Sequence, residues 1–187
     1  PLHEAAVLRA WTGYIKPMEL EYEKTYMPYL LMNKKRYAGL LHKPGKFEPA
    51  YIDAKGLENV RRDTPPYTAE TLTEALRLLM HHTVRAALDY VVARGRELKL
   101  GNVFMDQLVI SKGLTKLEYA NMQPHVNVYL QRLQHDVDTA PKVGDRVPYV
   151  FVRGGKGALT ADVAADPLLT LRAKKELDYL RYFDKNF

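Results

Sequence analysis

The sequence predicts an α+β fold in which a small antiparallel sheet comes first and a mainly helical region follows. Three observations predict it. Apolar and charged residues alternate through residues 18–26, with further short apolar runs up to residue 54; the apolar spacing lengthens to three and four residues beyond position 66; and Pro65-Pro66 stands between the two patterns. Neighbouring side chains on a strand point to opposite faces, whereas a helix returns a side chain to the same face after three or four residues. Strands and helices segregated along the chain, instead of interleaved, make an α+β architecture. Two regions are drawn accordingly, residues 1–64 and residues 65–187, the second carrying a short β element and ending in a helix.

The elements follow in order. Ala5, Ala6, Leu8 and Trp11 predict a short helix over 4–14, ended at Lys16-Pro17 because the residue before a proline avoids the helical region. In residues 18–26, Leu20, Tyr22 and Tyr26 alternate with Glu19, Glu21 and Glu23, which predicts a half-buried strand with an acidic outer face. Residues 28–32 and 36–41 are two apolar stretches around the basic run Lys34-Lys35-Arg36; Lys43-Pro44-Gly45-Lys46 is a turn, and Phe47 to Ala54 is another strand. After the double proline, Leu72, Leu76, Leu79, Ala87 and Val91 keep a helical period, with Thr71 and Glu74 as a capping box. A break at His81-His82-Thr83 divides this stretch into two helices, Thr83 capping the second, and Gly95 and Gly101 end the helical region. Residues 103–112 are short and apolar and carry no assignment. Pro124 opens a third helix carrying Val126, Tyr129, Leu130 and Leu133; Pro141 to Asp145 is a turn, Val147 to Val152 a strand, 153–157 a loop, and a last helix covers much of 168–186.

Composition narrows the function classes. Hydrophobic residues make up 47% of the 187 and charged residues 27%, ordinary values for a packed domain, so disorder is not the default. The absence of cysteine excludes disulfides and thiolate metal sites, and favours an intracellular compartment. No run approaches the roughly 18 apolar residues of a membrane span. The formal net charge of +6 favours a polyanionic partner such as nucleic acid.

Catalytic constellations are not legible. Gly154-Gly155-Lys156-Gly157 lacks the spacing and the final Ser/Thr of a phosphate-binding loop and reads as a solvated turn. His81-His82 has no third ligand at useful spacing, and His135-Asp136-Val137-Asp138 falls at a helix end where polar residues belong. The basic signals are stronger. Lys34-Lys35-Arg36-Tyr37 sets three cations beside an aromatic, and Lys55, Arg61, Arg62, Lys112 and Lys116 follow at the edges of predicted elements. Each alone is an ordinary surface charge; grouped at element edges they make candidate phosphate contacts.

At these residues the chain resembles the late palm and the thumb of family B DNA polymerases, most like the delta-type and related viral members. The likeness rests on Leu20 to Tyr26, Pro28 to Leu31, Lys34 to Leu40, Asp53 to Asp63, Gln107 to Lys116, Pro124-His125-Val126, Gly144 to Val150 and Glu176 to Phe183, in that order along the chain. The resemblance implies a part of a template-directed, DNA-synthesising enzyme with primer–template DNA as its partner. Lys34, Lys35 and Arg36 would then lie at the primer side and Tyr37 at the minor groove. Lys55, Arg61 and Arg62 would hold backbone phosphates, as would Lys112, Lys116 and His125 from the thumb.

The same resemblance implies what the chain does not carry. The family's two aspartates, which hold the Mg²⁺ ions of the complete enzyme, belong to motifs upstream of those matched here, as do the fingers and the exonuclease. No catalytic residue and no metal ligand is therefore assigned, Glu21 and Glu23 included, and a larger polymerase chain or segment is the implied partner. The chain is expected to be the small subunit of a split polymerase or a piece of a longer one; the alternative is a standalone duplex-binding or scaffolding module without synthesis. Tyr179, Tyr182 and Phe183 are spaced much as in a sliding-clamp-binding peptide without its leading glutamine. An amphipathic helix accounts for them better, and a clamp stays a candidate partner.

Overall fold

The computed structural model describes residues 23–43 and 45–186; the expected helix over 4–14 and the residues of the acidic strand up to Tyr22 lie outside them. The chain divides into two compact units, Pro1–Leu57 and Glu58–Phe187.

The first unit is built on a three-stranded antiparallel sheet in the order β1 (Thr25–Asn33), β2 (Arg36–His42), β3 (Pro49–Lys55). Its central strand carries the buried side chains of the sheet among the described residues: Ala38, Leu40 and Leu41. The cross-strand pairs Leu31 with Tyr37 and Tyr37 with Lys55 fix the register on either side of β2. Gly39 is required by packing, since a β-carbon there would stand 2.8 Å from the Tyr26 ring. The Tyr26 ring in turn stacks on Tyr29 at 5.2 Å and meets the edge of Tyr37 at 5.8 Å.

The second unit opens with a short 3-10 turn at Glu58–Val60 and two helices, α1 (Pro66–His81) and α2 (Val84–Lys99). A second 3-10 turn, Met105–Leu108, leads into β4 (Ile110–Gly113), then α3 (Pro124–His135), β5 (Arg146–Phe151), β6 (Ala164–Ala165), α4 (Pro167–Arg172) and α5 (Tyr179–Asn186). β4, β5 and β6 form an antiparallel sheet in that order. Its core gathers Leu98, Leu108, Val126, Val128, Val150 and Phe151 around Tyr182, whose hydroxyl accepts the Phe151 backbone N–H at 2.9 Å.

The α+β class and the break at Thr83 stand as expected, the Thr83 hydroxyl accepting from the Ala86 N–H at 3.1 Å, a cap worth about 1 kcal/mol. Three expectations need correction, and one unassigned stretch gains its structure. α1 begins at Pro66, not at a capping box: Pro66 occupies a first-turn position where no N–H is needed, and Thr71 sits inside the helix donating to the Tyr67 carbonyl at 2.7 Å. Gly95 is a buried interior residue of α2, and only Gly101, at φ +76, stands past the helix end. The unassigned stretch 103–112 supplies the second 3-10 turn and most of β4. The single last helix is two, because residues 176–178 pair with the end of β5 instead of continuing the helix. Leu177 bridges Val152, and the Asp178 N–H donates to the Phe151 carbonyl at 2.9 Å.

Candidate nucleic-acid interface

In the first unit, Lys34 and Lys35 are the two turn residues of the β1–β2 hairpin, flanked by the Asn33–Arg36 pair. Both are exposed. Lys35 takes φ +67, a left-handed conformation unusual for a residue with a side chain. Lys55 is exposed at the end of β3, opposite Tyr37 in the neighbouring strand, so it shares this end of the sheet with the hairpin tip. Arg36 and Tyr37 are half-buried. Tyr37 is held by Tyr26 and Tyr29, its ring 5.6 Å from that of Tyr29.

Beside these cations lies a paired group. The Tyr26 hydroxyl donates a short hydrogen bond to the Asp53 carboxylate, and the Lys24 ammonium reaches the same oxygen at 3.2 Å. The Tyr26 hydrogen bond, followed by Lys24, holds the Asp53 carboxyl below the usual carboxylate range. Asp53 is therefore an ionised, locally neutralised acid. Glu23 is exposed, 3.6 Å from the Lys24 ammonium.

In the second unit, four cations from three separate segments line one open recess of ≈ 370 Å³: Arg61 and Arg62 after the first 3-10 turn, Lys112 on β4 and Arg146 at the start of β5. The antiparallel register brings the last two together, Lys112 standing opposite Val147 and Gly113 opposite Arg146. Arg146 is pinned by the backbone, donating to the Arg62 carbonyl at 2.9 Å, to the Ser111 hydroxyl at 3.1 Å and to the Ser111 carbonyl. Asp63 is the one acid in the lining. Arg61 holds it with two hydrogen bonds of 2.9 and 2.8 Å and draws its carboxyl below the ordinary range.

Two expected contacts are placed differently from the recess. Lys116 is exposed and lies over the Tyr119 ring at 4.7 Å. His125 is a correction. Its ring is 0% exposed at the start of α3, edge-on to Tyr119 at 5.7 Å, and neither ring nitrogen has a hydrogen-bond partner among the described residues. Burial, with Lys112 adding to it, pushes its pKa down, so it is a neutral core residue and not a direct phosphate contact. Arg146 is the site residue that sequence reasoning missed: nothing in one dimension joins position 146 to 62 and 112 until β4 and β5 are paired. Among the described residues no group of three or more His, Asp or Glu side chains is placed to hold a metal ion, and no helix is long and apolar enough to cross a membrane.

The family model for DNA polymerase family B matches residues 5–187. The chain belongs to DNA polymerase family B. The chain is 41% identical over 185 residues to the DNA polymerase delta catalytic subunit of Plasmodium falciparum (isolate K1 / Thailand), covering 98% of its own length and 17% of that protein. It is also 41% identical over 175 residues to the DNA polymerase delta catalytic subunit of Oryza sativa subsp. japonica, covering 91% of its own length and 16% of that protein. Among solved structures, the family B DNA polymerase from the hyperthermophilic archaeon Pyrobaculum calidifontis matches 98% of this chain over 23% of its own, with a TM-score of 0.66 and 26% identity. The chain thus spans less than a fifth of these delta catalytic subunits.

Proposed function

We propose that this family B chain supplies the primer–template grip of a DNA-directed DNA polymerase, and that on its own it synthesises nothing. The observation that carries the proposal is the recess of the second unit. Arg61, Arg62, Lys112 and Arg146 come from three segments to one place, and a single carboxylate, Asp63, answers them. Bringing like charges together opposes folding unless a polyanion is the intended counter-ion, and the regular phosphates of a duplex provide one. The hairpin tip of the first unit adds Lys34, Lys35 and Lys55, with Tyr37 behind them as a fixed aromatic. Contacts of this kind hold a duplex by its backbone or by minor-groove acceptors common to all correct pairs, so the grip is independent of sequence.

Among the described residues no carboxylates are grouped to hold the complete enzyme's Mg²⁺. Asp53 is engaged by Tyr26 and Lys24, and Asp63 by Arg61. The metal-binding aspartates, the fingers and the exonuclease are proposed to belong to a companion chain or segment, inside the cell with the DNA being copied. A sliding clamp is not assigned to the Tyr179–Phe183 segment, because Tyr182 is 1% exposed and serves the core.

Primer extension tests the proposal. The purified chain with Mg²⁺ and all four nucleotides should extend nothing, yet should bind duplex DNA in a salt-sensitive way, and a companion carrying the aspartates should restore extension. Extension by the chain alone, or duplex binding indifferent to salt, overturns it.

A further inference from the structure

A second concave feature of the second unit lies away from the basic recess and shares no residue with it. It is a groove of ≈ 670 Å³ between the end of α2 on one side and the α4–α5 connection on the other. Its apolar lining is open to solvent: Leu100 is 75% exposed, Leu171 65% and Leu180 53%. An apolar surface of this kind, rimmed by polar residues, marks a binding site more often than an accident of packing. Thr170, 2% exposed, also lines the groove, and its hydroxyl has no hydrogen-bond partner among the described residues. A buried hydroxyl without a partner is an opening for a ligand's polar atom.

The charges of the rim specify the occupant. The two acids present are already engaged: Glu176 pairs with Arg153 at 2.7 Å, and Asp178 pairs with Arg181 while accepting the Arg181 backbone N–H at 3.1 Å. Lys99, Lys174 and Lys175 have no carboxylate within ion-pairing distance among the described residues. Lys174, exposed at the turn after α4, takes a left-handed φ of +50. An apolar floor under three cations without a carboxylate partner, Lys99 resting over the Phe183 ring at 5.0 Å, is complementary to a segment with apolar anchors and acidic flanks.

We propose that this groove docks an acidic peptide segment of a partner protein, anchored by leucine or phenylalanine side chains over Leu100, Leu171 and Leu180 and answered by Lys99, Lys174 and Lys175. Nucleic acid fits less well. A phosphate backbone would leave the three leucines uncovered. The groove's aromatic, Tyr179, is not free to stack on a base, since its ring packs on Gly101 and its hydroxyl donates to the Val103 carbonyl at 3.3 Å. The inference does not depend on the proposed grip, whose residues lie elsewhere.

The test is selection of a random twelve-residue peptide library on the full chain, with excess duplex DNA present throughout. Enrichment of peptides combining Asp or Glu with Leu or Phe is expected. The best of them, synthesised with a fluorophore, should bind Leu171→Ser and Leu180→Ser at least about tenfold more weakly, the worth of losing one buried leucine contact. Both positions are exposed, so the variants should fold, and their duplex affinity should stay at the wild-type level. The double variant Lys174→Glu, Lys175→Glu should lose the acidic peptide and gain its lysine-substituted counterpart. Absence of acidic-apolar enrichment, equal peptide binding by the leucine variants, failure of the charge exchange, or displacement of the peptide by duplex DNA would each overturn the proposal.

Discussion

A β-carbon on Gly56 would stand 2.2 Å from the carbonyl oxygen of Lys35. The residue just after β3 therefore packs directly on the backbone of the β1–β2 turn, and it does so at φ +68, a region that favours glycine. Gly56→Ala meets both obstacles, the left-handed backbone and the contact with a main-chain atom that cannot swing away. The expected outcome is a local destabilisation of about 1–3 kcal/mol. Amide hydrogen exchange across β2 and β3 should rise relative to wild type, while exchange in α2 and α3 should not change. Equal protection of β2 and β3 in the two proteins shows that the contact is slack.

Lys35 separates shape from charge. Its φ of +67 costs a lysine backbone energy that a glycine would not incur, although glycine also has more freedom to lose on folding. Lys35→Gly should therefore stay within about 1 kcal/mol of wild type in urea denaturation. Under the proposed grip it should still bind duplex more weakly and with a shallower salt dependence. Lys35→Ala should show the same loss of binding, since the charge alone is at issue. Full duplex affinity in both variants excludes the hairpin tip from the interface.

The sheet, the helix break at Thr83 and the basic runs were legible because each is a local statement: a period, a cap residue, a cluster of like charges. What was not legible depends on pairing across the chain. Arg172 to Leu177 contains no helix breaker, yet residues 176–178 leave the helix to extend the end of β5, a choice made by tertiary hydrogen bonds that override propensity. His125 is a candidate contact only through the family resemblance; its burial, edge-on to Tyr119, is a matter of tertiary packing that the sequence does not display. Arg61 and Arg62 look equivalent in the sequence. Only the fold shows that one is tied to Asp63 while the backbone carbonyl of the other receives Arg146.

His125 gives the pH prediction. Its pKa in the folded chain is depressed below the ordinary 6.5 by burial, reinforced by Lys112. The unfolded chain consequently binds a proton that the folded chain refuses as the pH falls below about 6.5, so this histidine's effect on stability is absent above that value and unfavourable beneath it. Stability should decline below about pH 6.5, with a contribution of at most about 1.4 kcal/mol per pH unit from this one group. His125→Phe keeps an aromatic ring against Tyr119 and has no proton to take up. Denaturation midpoints measured from neutral pH to about pH 5 should fall less steeply for the variant. Identical pH profiles for the two proteins would falsify the assignment of this decline to His125.

The last prediction concerns the counter-ion inside the basic recess. Each phosphate neutralised by a protein cation contributes a slope of about −0.9 in the logarithm of affinity against the logarithm of salt concentration. Arg62 and Lys112 line the recess with no ion pair among the described residues, so Arg62→Ala and Lys112→Ala should each reduce the steepness of the slope by about one unit if each meets one phosphate. Arg61 differs, because both its hydrogen bonds to Asp63 must be exchanged for bonds to phosphate before it adds to the grip. Arg61→Ala should thus change the slope by less than Arg62→Ala, and its loss of affinity should come mainly from an uncovered Asp63 carboxylate facing the duplex. Asp63→Asn makes the opposite move. It removes the repulsion, releases Arg61, and should raise duplex affinity while steepening the slope. Fluorescence anisotropy of one labelled duplex across a salt series compares all four variants. An Asp63→Asn protein with wild-type affinity, together with equal slopes for Arg61→Ala and Arg62→Ala, means that Asp63 does not gate the recess and that its position beside Arg61 is structural only.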